Sequence, residues 1–174
     1  TKLADDILYE NIMVDYKWSG VKEKENFLLD DKASLVPSTQ RNLMYRLAMT
    51  YISEARNKEA QNKQLEEQAS ATGVQSTEIT ENNNKDIKVA LDKAQKLIEK
   101  SLLEMPLNKI PMNIDVASGY LSAANELKMT DVAKTMETYI LKNAIEYVDW
   151  ISSLRKGRQQ PYFKQEVAGY INAL

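Results

Sequence analysis

Five glycines and four prolines are all that punctuate this 174-residue chain. These two residues are the main local breakers of regular structure, so long uninterrupted helices are expected. The prolines divide the chain at Pro37, Pro106, Pro111 and Pro161. Between them, apolar residues recur at i, i+3, i+4 and i+7, the period of one helix face.

Ser38, just after Pro37, suits an N-cap. Leu43, Met44, Leu47, Ala48, Tyr51 and Ile52 then form one stripe. From Ser53 to Glu67 the sequence stays helix-compatible but almost wholly polar, as a solvated face would be. Residues 69–84 lack periodicity and read as a mobile loop. Ile87, Ala90, Leu91, Ala94, Ile98 and Leu102 give a second stripe, which Pro106 ends. Asn113 opens a third helix with Val116, Ala117, Tyr120, Leu121, Ala124 and Leu127 inward. Thr130 and Asp131 supply a cap and a first-turn acid for a fourth, whose stripe is Val132, Met136, Ile140, Asn143, Tyr147, Ile151 and Leu154. Arg155-Lys156-Gly157 fits its end, and Pro161 starts a last helix with Phe163, Val167, Tyr170, Ile171 and Leu174 inward.

The division expected is an N-terminal segment, 1–36, and a helical domain, 37–174. The first is irregular apart from a short helix at 3–13 with Leu3, Ile7 and Leu8 inward. The second carries an inserted hairpin and loop at 53–86.

The helix pairs have a repeat-like register. Met44, Leu47, Ala48 and Tyr51 match the first-helix pattern of a tetratricopeptide repeat, and Ala94, Ile98, Ser101 and Pro106 match the second. The 34 residues of 53–86 separate the two halves. Tyr120, Leu121, Ala124 and Ala133 give a weaker second copy, with Glu137 where an apolar residue belongs. The fold class expected is all-α, with tetratricopeptide-like hairpins in a right-handed array. An irregular helical bundle with coincidental small residues is the alternative.

Composition excludes more than it assigns. The chain has no His and no Cys, which removes His-based triads, Cys nucleophiles, the usual zinc sets and disulfides. A net charge of −2 gives no reason to expect nucleic-acid binding. No run of 18 apolar residues suggests a membrane span. The adjacent acids Asp5-Asp6 and Asp30-Asp31 read as caps or surface, because neighbours in sequence do not make a cleft with two separated pKa values. The stretch Glu81–Asp86 is oxygen-rich but lacks calcium-loop spacing. Arg155–Arg158 suits a helix end better than a lipid headgroup site. No catalytic residue, metal site or cofactor is assigned.

One surface is chemically suggestive. In tetratricopeptide register, the first helix of each pair turns Asn42, Tyr45, Met49, Ile52 and Ser53, and then Asp115, Ser118, Ser122, Asn125 and Glu126, toward a groove. Small polar residues beside a Tyr and a Met suit an extended peptide or a sugar-bearing loop.

The segments Leu8–Met13, Tyr16–Val21, Leu29–Asp31, Leu43–Tyr51, Glu146–Trp150 and Ser152–Leu154 together resemble the soluble C-terminal domain of a bacterial family. Its members are large membrane proteins similar to protein O-mannosyltransferases, of unknown function and often grouped with glycosyltransferases. The resemblance implies a non-catalytic periplasmic domain on the bacterial inner membrane, with chemistry and membrane attachment in a transmembrane region outside this sequence. Its partners would be a protein or peptide, or a glycan. A free-standing scaffold for protein–protein interaction, cytoplasmic and unrelated to glycosylation, is the alternative.

Overall fold

The computed structural model describes residues 2–16, 21, 31–72 and 77–154. The described residues are helical, with no strand among them. The elements are α1 (Lys2–Glu10), a π-helical turn (Asn11–Asp15), α2 (Asp31–Thr72), α3 (Thr77–Glu104), α4 (Ile114–Glu126) and α5 (Thr130–Ser153). The chain divides into two compact units, Thr1–Ile110 and Pro111–Leu174.

The first unit is built on the hairpin of α2 and α3. Among the residues at least half-buried, one series on α2 falls at 41, 44, 48, 51, 55, 58, 62, 65 and 69, and one on α3 at 80, 83, 87, 90, 94, 97 and 101; beyond Ala55 on α2 and before Ala90 on α3 these are the only such positions with described burial. This alternation of three and four is the seam of an antiparallel coiled coil. Alanine occupies it at Ala48, Ala55, Ala90 and Ala94, all buried. Small side chains bring the axes toward the near end of the usual 8–10 Å separation. At the base, Arg41 is buried and its Nη2 donates to the Met105 carbonyl at 2.6 Å.

Three expectations change in this unit. The 69–84 loop is not formed: α2 runs through Thr72 and α3 starts at Thr77, leaving only 73–76 outside the described residues. The segment is polar but contains no proline, and its Ala, Glu and Gln residues suit an exposed helix. Second, Ser38 is not a cap. α2 begins at Asp31, and Pro37 lies inside it with its ring buried. A proline there denies the Ala33 carbonyl its N–H partner, yet the 42-residue helix passes through it. Third, α1 is rotated from the expected face, although Leu8 is half-buried as expected. Leu3 and Ile7 are 72% and 54% exposed, while Tyr9 and Ile12 are buried. The polar contacts of Lys2 and Asp6 described below set that rotation, and an amphipathic count cannot see them.

The second unit pairs α4 with α5. Asn113 caps α4 as expected, its Oδ1 accepting from the Val116 N–H at 2.9 Å. The inner faces carry Ala117, Tyr120, Ala123 and Ala124 on α4, and Ala133, Met136, Ile140, Ala144 and Ile151 on α5. The Tyr139 hydroxyl clamps the unit's entry, accepting from the Met112 N–H and donating to the Met112 carbonyl, each at 2.8 Å. Thr130 is the first residue of α5 rather than its cap, while Asp131 lies in the first turn as expected. Residues 155–174, including the expected last helix, lie outside the described residues.

Between these helices, Lys128 has φ 58°. Its N–H bonds the Asn125 carbonyl at 3.1 Å and the Met129 N–H bonds the Ala124 carbonyl at 2.8 Å. This is a Schellman closure, where glycine is the usual left-handed residue. Lys128→Gly should therefore stabilise the unit by about 1 kcal/mol, the order of the left-handed penalty on a side chain. A thermal melt showing no gain would mean that the Lys128 side chain offsets its own backbone cost.

Candidate functional site

An open depression of about 760 Å³ runs along α2 from Tyr45 to Gln61. Its described lining is Tyr45, Arg46, Met49, Thr50, Ser53, Glu54, Asn57, Lys58 and Gln61. The lining follows from helix geometry, since residues three and four apart share a face. Tyr45 and Met49 are half-buried and give it an apolar end, while Ser53 and Asn57 are exposed. The charged members are partly neutralised. Lys2 Nζ bonds Glu54 Oε1 at 2.8 Å, which raises the lysine above its ordinary value. Lys58 is paired with Asp86, whose carboxyl is held below the usual range chiefly by that hydrogen bond. The depression can hold an extended ligand by apolar contact and neutral hydrogen bonds. It has no pair of carboxylates arranged for acid–base work.

The residues expected in a groove are thus sorted. Tyr45, Met49 and Ser53 line the depression. Asn42 is exposed outside its lining. Ile52 is fully buried and belongs to the core, four residues after Ala48 and three before Ala55, both buried. In the other unit, Asp115, Ser122 and Asn125 are exposed along α4 and Glu126 is half-buried. Ser118 is half-buried and its hydroxyl donates to the Ile114 carbonyl at 2.9 Å. Arg46 and Thr50 were not singled out by sequence, and Glu54, Asn57, Lys58 and Gln61 were read only as part of a solvated polar face. Their recurrence at steps of three and four along α2 (46, 50, 54, 57, 61, with 58 beside 57) is the signal that marks them as one face.

Next to the depression, α1 is stapled onto the hairpin by a polar and aromatic cluster. The rings of Tyr9 and Tyr51 meet edge-to-face with centroids 5.9 Å apart. Lys93 Nζ lies 5.1 and 5.2 Å from the two ring centres and bonds Asp6 Oδ1 at 2.9 Å. The Tyr51 hydroxyl lies 3.1 Å from both the Asp5 carbonyl and Asp6 Oδ1, to which it donates. Burial, together with the Asp6 carboxylate, raises the Tyr51 hydroxyl far above its ordinary value. Lys93 first, and then Tyr51, hold the Asp6 carboxyl below its usual value of 3.8. This is a fastening, not an acid–base pair: each partner stabilises the other's resting protonation state.

The fastening makes stability depend on pH in one direction. A depressed carboxylate contributes fully above its unfolded-state pKa and loses that contribution as pH falls through the folded value. Wild type should therefore lose more stability than Asp6→Asn as pH drops below about 4. The Asp6 side chain is 38% exposed, so solvent screening keeps the difference small. Urea melts across that window check it, and parallel curves for the two proteins would remove Asp6 from the account.

Among the described residues, no cluster of acidic side chains is arranged to hold a metal, and no helix is long and apolar enough to cross a membrane. No family model, no curated protein and no solved structure matches the chain.

Proposed function

We propose that this chain is a non-catalytic, tetratricopeptide-like domain, its hairpins set in a right-handed array, that holds a protein or glycan segment for a membrane glycosyltransferase-like protein. It acts on the periplasmic side of a bacterial inner membrane, and the chemistry resides in the transmembrane part of that larger protein. The observation that carries the binding role is the depression on α2, with Tyr45 and Met49 beside small and amide side chains. Further support comes from the two helix pairs, each with alanines on its inner faces. The link to glycosylation rests on the sequence resemblance.

An array of extended peptides, bare and carrying O-linked hexose, tests the reading. The chain should retain a subset of them, and Tyr45→Ala combined with Met49→Lys should weaken that retention at least tenfold. Retention that the double variant leaves unchanged would move the site off α2. No retention of any member would remove the recognition role.

A further inference from the structure

We infer that Asn62, Asn83 and Asn84 form a register lock that fixes how α2 and α3 pair in the distal half of the hairpin. Asn62 occupies the seam series 41, 48, 55, 62 and 69, and is 8% exposed. Its amide is used on both sides: Nδ2 donates to Asn84 Oδ1 at 3.0 Å, and Oδ1 accepts from Asn83 Nδ2 at 2.8 Å. The pairs Arg41–Met105, Lys58–Asp86 and Asn62–Asn83 climb α2 as they descend α3, so one register runs from the base to the lock.

Beside these polar pairs, the small apolar positions in the middle of the seam discriminate registers weakly by packing alone. In a slip of seven residues Ala55, which faces Ala90 in the observed register, would face Leu97, again small against apolar. The polar turns near the tip can enter or leave the helices at little cost. A slip would, however, put Asn62 opposite Ala90, with a buried amide and no partner from the Asn83–Asn84 pair. That is how a single seam asparagine selects a register while lowering stability. The lock stands next to Gln61, the far end of the α2 depression, so it also fixes which α3 residues lie behind that end.

The chain has no cysteine, so introduced pairs report register cleanly. The observed register sets Leu65 opposite Thr80, and a seven-residue slip sets it opposite Ile87. Under mild oxidation, cysteines at 65 and 80 should cross-link at least tenfold faster than cysteines at 65 and 87. Adding Asn62→Leu should bring the two rates within about threefold of each other and raise the urea midpoint of the parent protein. Asn83→Ala with Asn84→Ala, at positions that are half-buried and exposed, should relax the preference in the same way while lowering the midpoint. An undiminished preference in both variants would show that packing and the turn alone set the register. An Asn62→Leu chain with a lower midpoint would show the asparagines to be stabilising contacts rather than a specificity device.

Discussion

Tyr51→Ala is expected to destabilise the first unit by about 3–5 kcal/mol, the range for removing a large aromatic side chain from a packed interior. Tyr51 is 2% exposed and sits at the junction of three helices. Its loss removes the edge-to-face contact with Tyr9, the ring beneath Lys93 and the hydroxyl that reaches Asp5 and Asp6. An aromatic pair adds about 0.5–1.5 kcal/mol beyond burial, so most of the effect is volume. Tyr51→Phe separates the parts, because it keeps the ring and should cost only about 1 kcal/mol. Urea unfolding followed by circular dichroism reads both. If Tyr51→Ala falls within 1 kcal/mol of Tyr51→Phe, α1 is not fastened through this ring.

Ala94→Leu carries the second large effect. Ala94 has no exposed surface and lies in the alanine-lined part of the seam. Three added heavy atoms must displace a helix or adopt a poor rotamer, which costs about 1–3 kcal/mol. Lys96→Leu is the control. Lys96 is 51% exposed and bonded to Asp92 one turn earlier, and loss of such a surface pair costs about 0.2–0.5 kcal/mol. Equal urea midpoints for the two variants would mean that α2 and α3 are not held in the register described.

Helix content and most inner faces were legible in the sequence, because scarce breakers and regular apolar spacing act locally. Ala90, Ala94, Ile98, Tyr120, Met136 and Ile140 are buried as their spacing predicts. What could not be read depends on partners distant in sequence. The seam beyond Ala55 is built from Lys58, Asn62 and Leu65, and a hydropathy pattern scores the first two as surface. Lys58 becomes tolerable there only by reaching Asp86, and Asn62 only by meeting Asn83 and Asn84. The same blindness produced the expected loop at 69–84, where polar composition hid helices that continue the pairing. At Lys128 the left-handed turn was invisible because no glycine marked it. In the candidate site, Tyr45 and Met49 were legible from their spacing. Ile52 was misplaced because helix-face assignment fails at the boundary between a groove and a core.

The account's central claim is that the outer face of α2 receives a ligand. Placing a photo-crosslinking amino acid at Met49, and separately at Val89 on α3, tests it in cells that express the protein. Val89 is 55% exposed, so it reports chance encounters at an apolar surface position. The account predicts a discrete adduct, peptide or glycoconjugate, at 49 that is absent at 89 and is lost when Tyr45→Ala is added. Equal, diffuse labelling at both positions would contradict it.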